Sequence, residues 1–428
     1  MKPDLSMKVV TVHRGARDNY QVARALSEGG MLEALVTDLY WPADRGWARA
    51  VERLAPRKVG ALRSRNETSL PSRQVVSCWL RGLYSLGLSK SRLVAFERQR
   101  DAVRNCDREL GKLAGKLATE RKAALLSYSY YGHSAFGGYT GEQPRMLFQL
   151  HPHPGAVRDI LLEERSLHPE CAASLDKEWE LALPKADFNR LVEESAMPEY
   201  WLVASSFSKR TLVEAGAPAA RIHVIPYGTD LNRFAPRKGR AVTGRPLQLL
   251  FVGTLGQRKG ITYLLEAVNM LPPGSVELTV CGRAVDGLDL FRRSRTPIRL
   301  RPSASSRELL DAYQSADIFV FPSLAEGFGH VLLEAMASGL PIISTTSTAA
   351  PDLIAHSKEG FVVDPGNSAQ VATCIEYFLR HPERIVTMGE AARRRAEYFT
   401  WDRFRHSVRE VVSGILQPAQ RAGAHQYV

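Results

Sequence analysis

The sequence predicts an α/β protein built as two doubly wound parallel-sheet domains that face each other across a cleft. Three observations predict it. At 428 residues the chain exceeds what one core ordinarily organises and suits two domains of roughly 200 residues each. Short, largely apolar runs such as 247–252 and 318–321 read as strands buried on both faces, as parallel sheets require. Those runs alternate with stretches of helical periodicity, which is the pattern of βαβ units and not of hairpins.

The elements follow in order. A strand over 7–12 leads into a polar loop, His13 to Asp18, then a helix through Gln21, Ala25 and Leu26 that Gly29-Gly30 ends, then a strand over 32–37. From Arg45 onward apolar residues recur at helical spacing, among them Leu93, Phe96, Val103, Leu110, Leu113 and Leu117, and helices with a polar face are expected. Strands over 124–127 and 146–150 flank the aromatic, glycine-rich stretch 128–138, read as a loop of the kind that carries sites beside parallel strands. Helices over 161–197, a strand over 200–204, a helix over 208–215 and a strand over 222–226 complete a first domain of residues 1–235. Residues 236–246, rich in Arg, Gly and Pro, read as a linker. The second domain, 247–400, has strands over 247–252, 276–281, 298–302, 318–321 and 341–344, with helices over 261–270, 306–316 and 330–337 between them. A last helix, 401–417, is expected to return to the first domain ahead of a tail, 418–428.

Composition narrows the classes. A 44% hydrophobic, 24% charged chain has the apolar content for a packed core, which argues against disorder. Cys78, Cys106, Cys171, Cys281 and Cys374 show no paired spacing, against a disulfide framework or a structural zinc site and for a reducing, cytoplasmic setting. Residues 1–6 lack a signal pattern and no apolar run approaches the about 18 residues of a span, so any membrane contact is expected to be peripheral. The net charge of +12 is concentrated: residues 45–122 hold 19 Lys and Arg against 7 Asp and Glu, and the rest of the chain balances. Such a segment either attracts an anionic partner (lipid headgroups, a lipid-linked diphosphate, nucleic acid) or is simply a solvated helix surface.

Two stretches carry chemistry. In 251–261 a buried strand runs into a glycine-bearing turn with Arg258 and Lys259 and then a helix. Amides at a helix start with two cations suit a diphosphate, although a basic loop is equally a solvent-facing one. In 316–341 a strand ends at Pro322, a loop presents Glu326, and a helix begins near Gly329 with Glu334 in its early turns. Two carboxylates so placed reach different parts of one hydroxyl-rich ligand; the plain alternative is a helix-start carboxylate and a paired core acid.

The run Glu326-Gly-Phe-Gly-His-Val-Leu-Leu-Glu334 resembles the signature of retaining GT-B glycosyltransferases of the family-4, or group 1, type. So do Val203 to Lys209, Ile222 to Asp230 with Phe234 and Pro236, Val252-Gly253 with Lys259-Gly260, and Phe399-Thr-Trp401. Together these span most of the chain from about residue 146. The resemblance implies the GT-B fold and transfer of a sugar from a nucleoside diphosphate donor to a glycan, lipid-linked or small-molecule acceptor. No metal or other cofactor is implied, in keeping with the lack of any Asp-x-Asp sequence, and no nucleic-acid partner. Position by position, Lys259 would contact the diphosphate with the amides near Gly329 and His330, and Glu334 would hold the ribose. Glu326 would hold sugar hydroxyls and face charge at the anomeric carbon, and His151 would contact the sugar, with His153 as its competitor. Gly253 and Phe328 fall in the matched motifs on the donor side. Three departures stand out: Thr254 where the family has arginine, so that one diphosphate contact is either missing or supplied by Arg258; Tyr227-Gly228 where Asn-Gly is usual; and His13-Arg-Gly15 in place of a double glycine, leaving Gly15 as the point of close approach. The competing expectations are a nucleotide-sugar epimerase or phosphorylase of the same fold, and a lipid- or nucleic-acid-binding protein with a decayed sugar site. The basic segment 45–122 would recruit the acceptor or an anionic membrane face.

Overall fold

The computed structural model describes residues 7–54, 62, 64–90, 96–236, 244–285, 291, 294–302 and 304–417. Two wholly parallel sheets organise them. The first contains β1 (Val9–Val12), β2 (Leu32–Thr37), β3 (Val75–Ser77), β4 (Ala124–Tyr128), β5 (Arg145–Gln149), β6 (Tyr200–Val203) and β7 (Ile222–Val224) in the order β3-β2-β1-β4-β5-β6-β7. The second contains β8 (Leu247–Val252), β9 (Val276–Cys281), β10 (Ile298–Arg301), β11 (Ile318–Phe321), β12 (Ile342–Thr345) and β13 (Gly360–Val363) in the order β10-β9-β8-β11-β12-β13. Both are doubly wound. In each, the winding reverses beside the first strand, between β1 and β4 and between β8 and β11, and such switch points open a crevice at the strands' carboxyl ends.

The central strands are those the sequence displays, because burial on both faces leaves them largely apolar: β1, β4, β8 and β11 are buried along their whole length but for Gln248 in β8. Two edge strands were not anticipated. β3 has three half-buried residues inside the segment expected to be helical, and β13 is a four-residue edge; edges need no long apolar run. The stretch 128–138 is not one loop. β4 extends to Tyr128 and a helix forms over Gly132–Gly137, because Tyr131, Ala135 and Phe136 fall on one buried face. The region 161–197 divides into helices Pro154–Leu167, Ala172–Leu175, Trp179–Ala182 and Lys185–Ala196.

The chain crosses between the sheets twice at one place, where Thr229 pairs with Thr400 and its N–H donates to the Phe399 carbonyl at 2.9 Å. Most of the expected linker, 237–243, and the tail, 418–428, lie outside the described residues. At the linker's end Arg245 meets the fully buried carboxylate of Asp317 at 2.7 Å. The last helix, Trp401–Leu416, lies on the helix Gln21–Glu28 of the first domain. There buried Arg405 donates to Gln21 Oε1 at 2.7 Å and pairs with Glu28 at 2.9 Å, and Arg409 joins Glu28 at 2.6 Å.

No described helix is long and apolar enough to cross a membrane. Part of the basic segment, including Arg57, Lys58, Arg63 and Arg92, lies outside the described residues. Among the others several cations are internal partners: Arg65 pairs with buried Asp38 at 2.8 Å and Arg121 with Glu33 at 2.7 Å. The same segment exposes large apolar side chains. Trp47 and Leu54 on helix Gly46–Leu54 are 53% and 86% exposed, and Leu80 and Tyr84 on helix Trp79–Lys90 are 86% and 67% exposed.

Candidate active site

The two switch points face each other, and the loops leaving β1, β5, β8 and β11 line a cavity of about 340 Å³ between them. From the second domain come Gly253, Lys259, Glu326, Phe328, Gly329 and His330. From the first come Arg17, Asp18, His151 and Tyr227. Seven of the residues singled out in the sequence are thus brought together; His153, the rival of His151, is not among them.

Lys259 ends a single turn, Gln257–Lys259, and Gly260 follows with φ +70°. A Cβ there would stand 2.0 Å from the Pro322 carbonyl oxygen, so the turn can lie against the loop after β11 only with glycine. That contact brings the Lys259 ammonium onto the Glu326 carboxylate as an ion pair. Burial pushes the Glu326 pKa up, but Lys259 and then Arg258 outweigh it and hold it at about 2, so the carboxylate is ionised at every working pH. Beyond it Gly329, at φ +84°, starts the helix His330–Ala337 with no side chain capping its amides. That leaves a partly positive helix end beside the lysine, suited to phosphate.

Across the cavity His151 follows β5. Gly327 permits this approach: a Cβ on it would lie 2.1 Å from the Leu150 carbonyl oxygen. Burial and then the Arg258 charge lower the His151 pKa to about 4, and the ring is neutral near pH 7. Its Nδ1 is buried without a hydrogen-bond partner among the described residues.

Glu334 lies one turn on and lines a neighbouring cavity of about 790 Å³ that shares Asp18 and His330 with the first. Its carboxylate accepts from the Tyr313 hydroxyl at 2.8 Å, and burial raises its pKa. An extended ligand can therefore run from Glu334 past the helix end at His330 to Lys259 and Glu326, and on to His151.

Two sequence-based expectations are corrected. Arg258 lines none of these cavities. It is 7% exposed and turned into the domain interface, where it donates to the Ala325 carbonyl at 3.0 Å and meets Glu180 at 3.1 Å and Glu178 at 3.3 Å. It is neither a phosphate ligand nor a solvent-facing residue but a buried tie to the first domain. Gly15 does not reach the cavity either. Its φ of +69° serves the turn, and its amide donates to Asp38 Oδ1 at 2.8 Å. The loop after β1 instead contributes Arg17 and Asp18. Among the described residues no carboxylate lies within salt-bridge distance of Arg17, so it is the second cation facing this cavity.

Sequence reasoning also missed the backbone that places them. Asp18, Asn19 and Tyr20 adopt φ of 44°, 52° and 60° in succession, a left-handed run that costs each non-glycine residue about 1–2 kcal/mol. The Asp18 carboxylate holds it by accepting from the Gln21 amide at 3.1 Å and from the Tyr128 hydroxyl. Burial raises the Asp18 pKa to about 7. Only the Asp-Asn pair, tolerant of that conformation, signals it in the sequence. Tyr227 replaces the usual asparagine with a ring that stacks on His330 at 4.6 Å and meets Phe328 at 5.2 Å.

Removing Arg258 would leave Glu180, 5% exposed, without its cation. Arg258→Ala is expected to lower unfolding stability by about 3 kcal/mol, read as a shifted urea midpoint. An unchanged midpoint with weakened nucleotide binding would return Arg258 to the donor site. For His151, a folded pKa below the ordinary 6.5 means that the unfolded chain takes up more protons, so stability falls as pH drops from 6.5 towards 4. His151→Gln should flatten that part of the Tm against pH curve relative to the wild type. Parallel curves would show that the histidine is hydrated and titrates normally.

Residues 233–395 match the family model described as Glycosyl transferases group 1. The D-inositol 3-phosphate glycosyltransferase of Paenarthrobacter aurescens is 32% identical over 225 residues, covering 47% of this chain and 55% of that protein. The sulfoquinovosyl transferase SQD2 of Arabidopsis thaliana is 32% identical over 213 residues, covering 47% of this chain and 41% of that one. The chain thus spans about half the length of the curated relatives it matches. The crystal structure of Anabaena Alr3699/HepE in complex with UDP superposes with a TM-score of 0.60 at 16% identity, over 95% of this chain and all of that one, a likeness of fold. Residues 233–395, which contain Lys259, Glu326 and Glu334, thus form a domain of the group 1 glycosyltransferase family, and the two doubly wound sheets give the chain the GT-B fold.

Proposed function

We propose that the protein is a retaining, metal-independent glycosyltransferase that moves a sugar from a nucleoside diphosphate donor to an acceptor hydroxyl. One observation carries the reading: Lys259, the uncapped helix end at Gly329 and His330, ionised Glu326 and neutral His151 converge on one cavity between two domains. The relatives named for glycosyl transfer and the neighbour that holds UDP support the donor class.

In this reading the diphosphate lies against Lys259 and the helix amides, with Arg17 as a second cation, and the ribose lies towards Glu334. The sugar sits between Glu326 and His151. The bond from the anomeric carbon to the phosphate oxygen breaks, and its electron pair leaves with the nucleoside diphosphate. The acceptor oxygen bonds to the anomeric carbon from the same face, and its proton passes to the departing phosphate oxygen. Charge builds up in two places at the transition state, negative on the phosphate and positive at the anomeric carbon. Fixed cations and a fixed carboxylate stabilise both without reorganising. The epimerase and phosphorylase alternatives share the fold, but no feature of the cavity favours them.

Glu326→Gln should therefore lower turnover on the order of 100-fold with nucleotide affinity nearly unchanged. Glu334→Ala should act the other way, weakening donor binding more than it slows the committed complex. Equal small effects would remove both roles, and loss of turnover in excess chelator would assign the diphosphate charge to a divalent cation.

The basic segment is proposed to hold the protein at an anionic membrane face. Exposed Trp47, Leu54, Leu80 and Tyr84 stand within the segment that holds the net charge, and apolar insertion would add to the about 1 kcal/mol per cation that an anionic surface provides. The protein should co-sediment with phosphatidylglycerol vesicles at about 0.1 M salt and much less with phosphatidylcholine vesicles or at about 1 M salt, where charge is screened within about 3 Å, and Leu54→Ser/Leu80→Ser should weaken it. Binding indifferent to lipid charge would rule this out.

A further inference from the structure

Behind Arg17 and His151 lies a second cavity, of about 360 Å³, lined only by first-domain residues. Those two side chains are walls of both cavities, so a ligand in one is a single side chain's thickness from a ligand in the other. Its size is at the low end for small-molecule pockets, that of one ring with substituents. One wall is apolar, with Trp179, Leu183 and Leu191. The Trp179 indole N–H and His151 Nδ1 are buried without partners among the described residues.

The other wall is cationic. Asp187 is shared by three guanidiniums, Arg104 at 3.2 Å, Arg190 at 3.4 Å and Arg108; exposed Asp101 meets Arg104 from its far side. Arg14 is matched by Asp107 at 2.9 Å, while among the described residues Arg17 has no carboxylate in salt-bridge contact. The remaining acid, Glu194, is taken by the backbone amides of Tyr130 at 2.7 Å and His133 at 3.0 Å. Burial raises its pKa to about 7, which thins the negative charge further. Positive charge is left over in a half-enclosed space, where an anion is bound more strongly than in open water.

We propose that this cavity is the acceptor site and that it selects a small anionic acceptor, a sugar or polyol ring bearing a phosphate monoester or a carboxylate. The ring packs on Trp179 and Leu183, the anion takes the arginines gathered on Asp187, and a hydroxyl passes His151 to reach the anomeric carbon. There the hydroxyl oxygen forms the new bond as the donor phosphate leaves with its electron pair and accepts the hydroxyl proton. The assignment rests on the transfer reading of the neighbouring cavity.

The test is calorimetric titration of the full chain with glucose, glucose 6-phosphate and glucuronate, repeated on Lys259→Ala and on Arg108→Gln/Arg190→Gln. Both arginines are partly exposed, and the wild-type comparison of charged with neutral ligand stands even if the double variant misfolds. At least one anion should bind about tenfold or more tighter than glucose, with the tighter of the two identifying the anion. Lys259→Ala should keep that preference and the arginine pair should lose it. Equal binding of glucose and both anions overturns the proposal, as does a preference lost in Lys259→Ala and kept in the arginine variant, which would put the anion in the donor cavity. If UDP, ADP and GDP all fail to bind while the sugar anions bind selectively, the transfer reading falls and the acceptor assignment with it, leaving an anion site of another function.

Discussion

The interface between the domains turns on one buried guanidinium. Arg258 belongs to the second domain, yet its partners Glu178 and Glu180 belong to the first, and all three are largely removed from water. An ion group of this kind adds little net stability when formed, because desolvation offsets attraction, but it is costly to break. It therefore specifies which faces meet. Its neighbours extend the tie: Gln257 donates to Glu164 at 2.6 Å, Tyr263 donates to the same carboxylate at 2.8 Å, and the Gln257 amide donates to Ser174 at 3.0 Å. Lys259 is the next residue in the turn. Its ammonium is held over Glu326 because Arg258 and Gln257 are held on the other domain.

The same interface tunes the groups in the cavity. After burial, the Arg258 charge is the largest influence on His151, and it contributes with Lys259 to the low Glu326 pKa. One cation, itself outside the cavity, thus favours a neutral histidine and an ionised glutamate on opposite sides of it. Closure on the far side comes from rings. Tyr227, Phe328, His330, Trp401 and Phe404 form a continuous aromatic contact from the end of β7, through the helix start, to the last helix. Ser205 adds a polar latch, donating to the Gly327 carbonyl at 2.6 Å.

Charge in the first domain divides into two uses. Arg14 and Arg65 each face a carboxylate, and their charge acts locally within the protein. Arg104, Arg108 and Arg190 share the one carboxylate of Asp187, and Arg17 faces the two cavities with no carboxylate in salt-bridge contact among the described residues. A count of residues along 45–122 cannot separate these cases, since pairing across the fold involves acids such as Asp38 and Asp187 that lie outside the segment.

The strands of both sheet centres were legible in the sequence because a strand covered on both faces must be largely apolar; β8, β9 and β11 match the expected bounds residue for residue. The helix His330–Ala337 and its flanking glutamates were legible for a similar reason, since glycines at tight backbone contacts and a carboxylate on each side of a helix start lie close together in the chain. Short edge strands β3 and β13 left no comparable mark, because an edge needs few apolar residues. The sequence could name Arg258 as a cation beside Lys259 but not its direction, which depends on Glu178 and Glu180 some 80 positions away. Nor could it show that Arg17 and Asp18, not Gly15, enter the cavity, because a left-handed run of non-glycine residues is imposed by tertiary hydrogen bonds to Asp18. Local pattern determined which elements form and which loop carries the carboxylates. The packing of one domain on the other decided which charges are buried, which are paired and which are left facing a ligand.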